Sequence, residues 1–181
     1  MLDEISRLKA IVQKLLLLSL ADAGRLQLQL QPVNLSAMLA NVVEDCQAQA
    51  PALKVENQRA PDIHVNADPD LLEQALQNLA SNAIKYNHAD GQIRFELAKE
   101  AGRILVRVAN TGPGISPADR GRIFERFYRA DQSRSHRMDG VGLGLSLSRE
   151  IIRAHGGELN LEDSPDGRTQ FVVELPVNSH P

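Results

Sequence analysis

The chain opens on an apolar stripe at helical spacing. Ile5, Leu8, Val12 and Leu15 follow at intervals of three, four and three, the seam of a helix that packs on a partner helix, with Arg7, Lys9 and Lys14 off the seam. The pattern fades at Gly24. No N-cap precedes this stripe, and a helix so apolar does not stand alone. Two readings stay open: a partner encoded upstream of a truncated chain, or a helix packed on its own domain.

From Pro32 onward the pattern is that of an α/β domain. Asn34 caps a helix running through Leu39, Val42 and Val43 to Ala50, where Pro51 stops it. Short strands are expected over 53–56 and 63–66. Asp68-Pro69 then offers an N-cap and a first-turn proline for a helix with Leu71, Leu72, Ala75, Leu76, Leu79, Ala83 and Ile84 on its inner face. Two period-two runs, Ile93/Phe95/Leu97 and Ile104/Val106/Val108, joined through Gly102, predict an antiparallel pair. A last helix over 145–154 ends at Gly156-Gly157, and residues 158–161 and 169–175 supply the closing strands. The expected fold is an α/β (α+β) sandwich: a mixed, mostly antiparallel sheet with helices on one face, plus an N-terminal helix. The only long irregular segment, 128–140, carries Arg129, Arg134, His136 and Arg137 and reads as a lid or as disordered.

Composition narrows the partners. The 181 residues, 43% of them apolar, suffice for one full domain with an appendage. A net charge of −3 without a block of like charge argues against nucleic acid. Cys46 stands alone, so there is no internal disulfide or cysteine-based zinc cluster, and a reducing compartment fits. The run Leu15 to Leu18 is far too short for a membrane span, and Asp3 and Glu4 replace a basic signal region, so a soluble chain is expected.

Three groups of residues ask for chemistry. Asn78 and Asn82 lie one turn apart on the Asp68 helix, with Lys85 and Tyr86 following on the same side. Asparagine is a poor helix former; these are either solvated amides or oxygen ligands for a hard cation that already carries phosphates. Asn110-Thr-Gly-Pro-Gly-Ile115 follows a strand directly, and is either an ordinary turn or a close backbone approach with Asn110 offering its carbonyl oxygen to an amine. Gly140, Gly142 and Gly144 precede a helix, which suits a phosphate but also a flexible loop, and neither the P-loop nor the dinucleotide fingerprint fits.

Taken in order, Asn78-Leu-Ala-Ser-Asn82-Ala-Ile-Lys85-Tyr86, Asn110-Thr-Gly112-Pro-Gly114, Ile123-Phe124-Glu-Arg-Phe127-Tyr128-Arg129, Gly140-Val-Gly142-Leu-Gly144-Leu and Gly167-Arg-Thr169 resemble the successive boxes of the sensor histidine kinase ATP-binding domain, in the GHKL superfamily. The phrasing of the Asn110 turn and of Arg126-Phe-Tyr-Arg129 is similar to heavy-metal-sensing members. The resemblance implies an ATP-binding catalytic domain over 31–181 with a lid at 128–143, and a remnant of the dimerisation and phosphoacceptor hairpin, its second helix, over 1–30. It implies ATP and Mg²⁺ as ligands. By position, Asn82 binds the metal, Asn78 supports it, Lys85 contacts phosphate, Tyr86 covers the adenine or ribose, and Arg129 meets the γ-phosphate. Gly140, Gly142, Leu143 and Gly144 admit the triphosphate, Asn110, Gly112 and Gly114 belong to the adenine turn, and Thr169 helps close the base pocket. The implied partners are the phosphoacceptor hairpin of the full-length kinase and a response regulator, with a homodimeric parent and a fragment that is a monomer or weak dimer.

Two departures qualify the resemblance. Asn110 stands where the family usually has aspartate, so its bond to an exocyclic amine is weaker by up to about 1 kcal/mol, and an amide that flips would discriminate less well against guanine. No histidine precedes His64, so self-phosphorylation at the family's acceptor is not expected. Related hydrolases of the same fold have a general-base glutamate where this chain has Asn78, which speaks against an ATPase clamp. A non-catalytic docking module is the remaining alternative.

Overall fold

The computed structural model describes residues 2–59, 62–130, 141–164 and 166–177. In chain order the elements are α1 (Leu2–Asp22), β1 (Gln31–Asn34), α2 (Leu35–Gln49), β2 (Lys54–Arg59), β3 (His64–Ala67), α3 (Pro69–Lys85), β4 (Gln92–Glu100), β5 (Arg103–Asn110), α4 (Pro117–Arg120), α5 (Gly144–Ala154), β6 (Glu158–Asp163) and β7 (Thr169–Pro176).

Alternation builds the sheet from its centre outward. In the β4–β5 ladder Phe95 faces Val108 and Leu97 faces Val106, all buried, while Arg107 and Glu96 turn to the other face and pair at 2.9 Å. β7 adds to β5 and β6 to β7, both antiparallel, and β2 joins β4 in parallel, giving the order β2-β4-β5-β7-β6. The sheet is therefore mixed and mostly antiparallel, as the sequence predicts. Helices α2, α3 and α5 cover its apolar face, with Leu39, Leu72, Leu76, Leu79, Leu147 and Ile151 in one core with the strand residues.

The caps fall where the sequence places them. Asn34 accepts from the Ala37 N–H at 2.9 Å, and Asp68 accepts from the Leu71 N–H at 3.1 Å. Asp68 is more than a cap. Its second carboxylate oxygen accepts from the Gln29 N–H at 2.9 Å, tying the segment after α1 to the start of α3. Its own N–H donates to His155 Nε2 at 3.0 Å, and His155 Nδ1 lies 2.8 Å from the Ile151 carbonyl. One partner is a donor and the other an acceptor, so the imidazole is neutral with its proton on Nδ1. This histidine, which has no role by resemblance, fastens α5 to α3.

Two elements escape the sequence pattern. β1 pairs with β3 in a separate two-stranded sheet, although Pro32 and the exposure of its first two residues hide its strand character. α4 is one turn capped by Ser116. Cys46 is buried at 1% exposure, and that burial pushes its thiol up to about 11, so it is a neutral apolar group at ordinary pH.

The N-terminal helix packs on its own domain through one face. Leu18 is buried, and Ile11 and Leu17 pack against the domain core, while Asp22 makes a two-bond ion pair with Arg126. The predicted seam faces away: Ile5 and Leu8 are 61% and 62% exposed, and Val12, Leu15 and Leu16 are exposed beside them.

Candidate functional site

Helix α3 sends its apolar residues to the sheet, which turns Asn78, Asn82 and Lys85 toward a cavity of about 620 Å³. Ser81 and Tyr86 extend the same wall. The facing wall is Tyr128 and Arg129 together with Val141, Gly142, Leu143, Gly144 and Leu145 at the entry to α5, and Ile123 lies beneath. Glu4, Ala10, Ile11 and Lys14 of α1 close a third side.

Several features of this cavity favour an anion. Helix α5 begins with Leu143 at its N-cap and no side-chain cap bond, so its first N–H groups are left to a ligand or water. Asn78 Nδ2 is buried without a hydrogen-bond partner. Its Oδ1 lies 3.6 Å from the position a Cβ on Gly144 would take, so the amide stands directly beside the start of α5. Lys85 Nζ sits 5.2 Å from the Tyr86 ring centroid, a cation–π contact that keeps the two together at the end of α3.

The segment ends flanking residues 131–140 are clasped. Phe127 N–H donates to the Gly142 carbonyl at 2.9 Å. Gly142 has φ +76°, and a Cβ there would fall 2.8 Å from the Tyr128 carbonyl oxygen, so this position needs glycine twice over. Tyr128 donates its hydroxyl to Asp119, which raises the phenol; Ser116 and then Tyr128 hold the Asp119 carboxyl below its ordinary range. Arg122 stacks 4.3 Å from the Tyr128 centroid, completing the support.

The other predicted residues do not line this cavity. Asn110 and Thr169 face one another at the end of the β5–β7 ladder, and Gly112 and Gly114 lie in the turn after it. They reach the cavity through Tyr86. Asn110 is 3% exposed, and its Nδ2 donates to the Tyr86 carbonyl at 3.3 Å and the Thr111 carbonyl at 2.8 Å. Both partners only accept, so the nitrogen is pinned against them and Oδ1 is the end left over, which restrains the flip considered from sequence. A Cβ on Gly112 would fall 2.2 Å from the Tyr86 carbonyl oxygen, so the turn and the end of α3 touch backbone to backbone. Gly140, Arg134, His136 and Arg137 lie outside the described residues, as does most of the expected lid.

Sequence reasoning missed the contribution of α1. Glu4 and Lys14 reach the cavity because α1 docks on α5, a long-range contact with no local signature. One signal was present: Ile11, Lys14, Leu18 and Ala21 form a second stripe at three, four and three, with a lysine inside it. Among the described residues no three His, Cys, Asp or Glu side chains gather as a metal cluster, and no helix is long and apolar enough to cross a membrane.

Fold and cavity define an α/β sandwich with a polar cavity between α3 and the start of α5, and comparison with known proteins gives the class. Residues 67–179 match the family of histidine kinase-, DNA gyrase B- and HSP90-like ATPases; the chain belongs to that family, as a catalytic domain of the sensor histidine kinase type. It is 34% identical over 179 residues to the signal transduction histidine-protein kinase AfsQ2 of Streptomyces coelicolor, covering 99% of this chain and 32% of that protein. It resembles the solved catalytic domain of the histidine kinase ThkA with a TM-score of 0.73 at 27% identity, over 82% of this chain and 96% of that one. Full-length ShkA, solved in complex with AMPPNP, matches with a TM-score of 0.78 at 30% identity, over 94% of this chain and 36% of ShkA. The chain spans about a third of the length of the curated relatives it matches.

Proposed function

We propose that this domain binds Mg-ATP in the 620 Å³ cavity and donates the γ-phosphoryl group to a histidine on a phosphoacceptor hairpin, from which a response regulator takes it. The observation that carries this reading is the convergence of Asn78, Asn82, Lys85, Arg129 and the open N-terminus of α5 on one volume. The AMPPNP complex of ShkA supports a nucleotide as the ligand class.

In this reading the α5 N–H groups and Lys85 hold the phosphates, and Arg129 stabilises charge that spreads over the transferring oxygens. Tyr86 lies against the base or ribose, and Asn110 Oδ1 accepts from the exocyclic amine, with Thr169, Gly112 and Gly114 shaping that end. The neutral side-chain oxygen of Asn82 fits a magnesium ion already neutralised by phosphate, and Asn78 supports that site, its unpartnered Nδ2 free to donate to a phosphate oxygen or a metal-bound water. When bound, the ion draws charge from the β- and γ-phosphates. No carboxylate occupies position 78, so water activation is weak and hydrolysis slow.

Residues 1–30 act as part of the dimerisation hairpin, with the exposed seam of α1 meeting another helix, and 31–181 as the catalytic domain. The parent kinase is a membrane-anchored homodimer whose cytoplasmic part includes this domain. Calorimetry with an ATP analogue and Mg²⁺ tests the site: Asn82→Ala is expected to weaken Mg-dependent binding about tenfold or more. Added hairpin carrying its histidine should gain acid-labile phosphate. Steady release of free phosphate without that transfer would instead favour an ATPase clamp, and absence of nucleotide binding a docking module.

A further inference from the structure

The domain-facing stripe of α1 is Ile11, Lys14, Leu18 and Ala21, and its one polar member is misplaced for packing alone. Leu18 is buried and Ile11 lies against the core, yet between them Lys14 is partly buried on the wall of the large cavity. Lys14 also lines an adjoining cavity of about 290 Å³ with Gln77, Asn78 and Ser81, so it stands over the polar stripe of α3. Among the described residues it has no carboxylate within ion-pair distance. Among the described residues of that wall the carboxylate is that of Glu4, ten residues or about 15 Å of helix away from Lys14.

Partial burial of an ammonium without a counter-ion is unfavourable, and a surface lysine is free to turn to water instead. A phosphate oxygen in the cavity would give Lys14 the counter-charge it lacks among the described residues. We propose that Lys14 is a phosphate-contacting residue, so that α1 supplies a cation to the bound triphosphate and nucleotide occupancy is coupled to the docking of α1 on the domain. This rests on the cavity being the nucleotide site. The coupling is reciprocal: a ligand held by both α1 and α3 favours the docked helix by the factor with which docking favours the ligand. Lys14 positions phosphate and takes no part in bond making.

The test uses the intact chain. Lys14→Met keeps the aliphatic stem and removes the charge, and Lys9→Met removes an exposed charge from the same helix as a control. Calorimetry compares a non-hydrolysable ATP analogue with Mg²⁺ against adenosine. The expected result is a loss of about tenfold in affinity for the analogue in Lys14→Met, with adenosine unchanged and Lys9→Met like the starting protein. In amide exchange, the analogue should slow α1 in the starting protein and do so less in Lys14→Met. Unchanged analogue binding overturns the proposal. An equal loss for analogue and adenosine also overturns it, since that marks a packing role. If the starting protein binds neither ligand, the nucleotide reading itself fails.

Discussion

Helices α3 and α1 lie on either side of the same cavity, yet they spend their apolar residues in opposite ways. α3 buries Leu72, Ala75, Leu76, Leu79, Ala80 and Ala83 and keeps only its polar stripe for the site. Among its described side chains α1 fully buries only Leu18, packs Ile11 and Leu17 partly, and leaves Ile5, Leu8, Val12, Leu15 and Leu16 in water. The apolar positions of α3 are covered by its own domain, whereas α1 has one apolar face on the domain and another left exposed. Periodicity identifies an apolar face but not what covers it, and here one helix carries two apolar stripes of which the domain covers one.

That contrast sets the order of mutational effects. The largest falls on α3: Leu76→Ala removes a fully buried side chain from the core and should cost about 3 kcal/mol, read as a lower denaturant midpoint at unchanged slope. A loss below about 1 kcal/mol would mean that α3 is less integral than its burial indicates. Next comes the junction of the two helices. Asp68→Ala deletes the α3 cap and the bond from Gln29 together, for about 2 kcal/mol, and should loosen the 25–30 segment in amide exchange. The smallest effect belongs to the outer face of α1. Leu8→Gln should change unfolding free energy by less than about 0.5 kcal/mol, while lowering any self-association or hairpin binding. A stability loss as large as that of Leu76→Ala would erase the distinction between the two helices.

The sheet, α2, α3 and α5 were legible because each has a cap, a stop or an alternation stated locally. Asn34, Asp68-Pro69 and the Ile93/Phe95/Leu97 run are signals of that kind, and each begins within a residue or so of the observed element. β1 was not, because a four-residue strand containing Pro32 owes its form to β3 across the chain. In the site, α3 and the start of α5 were legible through spacing and resemblance. Lys14 and Glu4 were not, since their presence depends on where a whole helix docks. The pinning of Asn110 was equally hidden, for it takes the Tyr86 carbonyl, 24 residues earlier, to hold the amide.

The clasp at His155 has a chemical corollary. A phosphoramidate forms only where an imidazole nitrogen can present a lone pair to phosphorus. In His155 one nitrogen already carries the proton shared with Ile151, and the lone pair of the other is occupied by the Asp68 amide. This ring is thereby disqualified as an acceptor of a phosphoryl group by its own bonding.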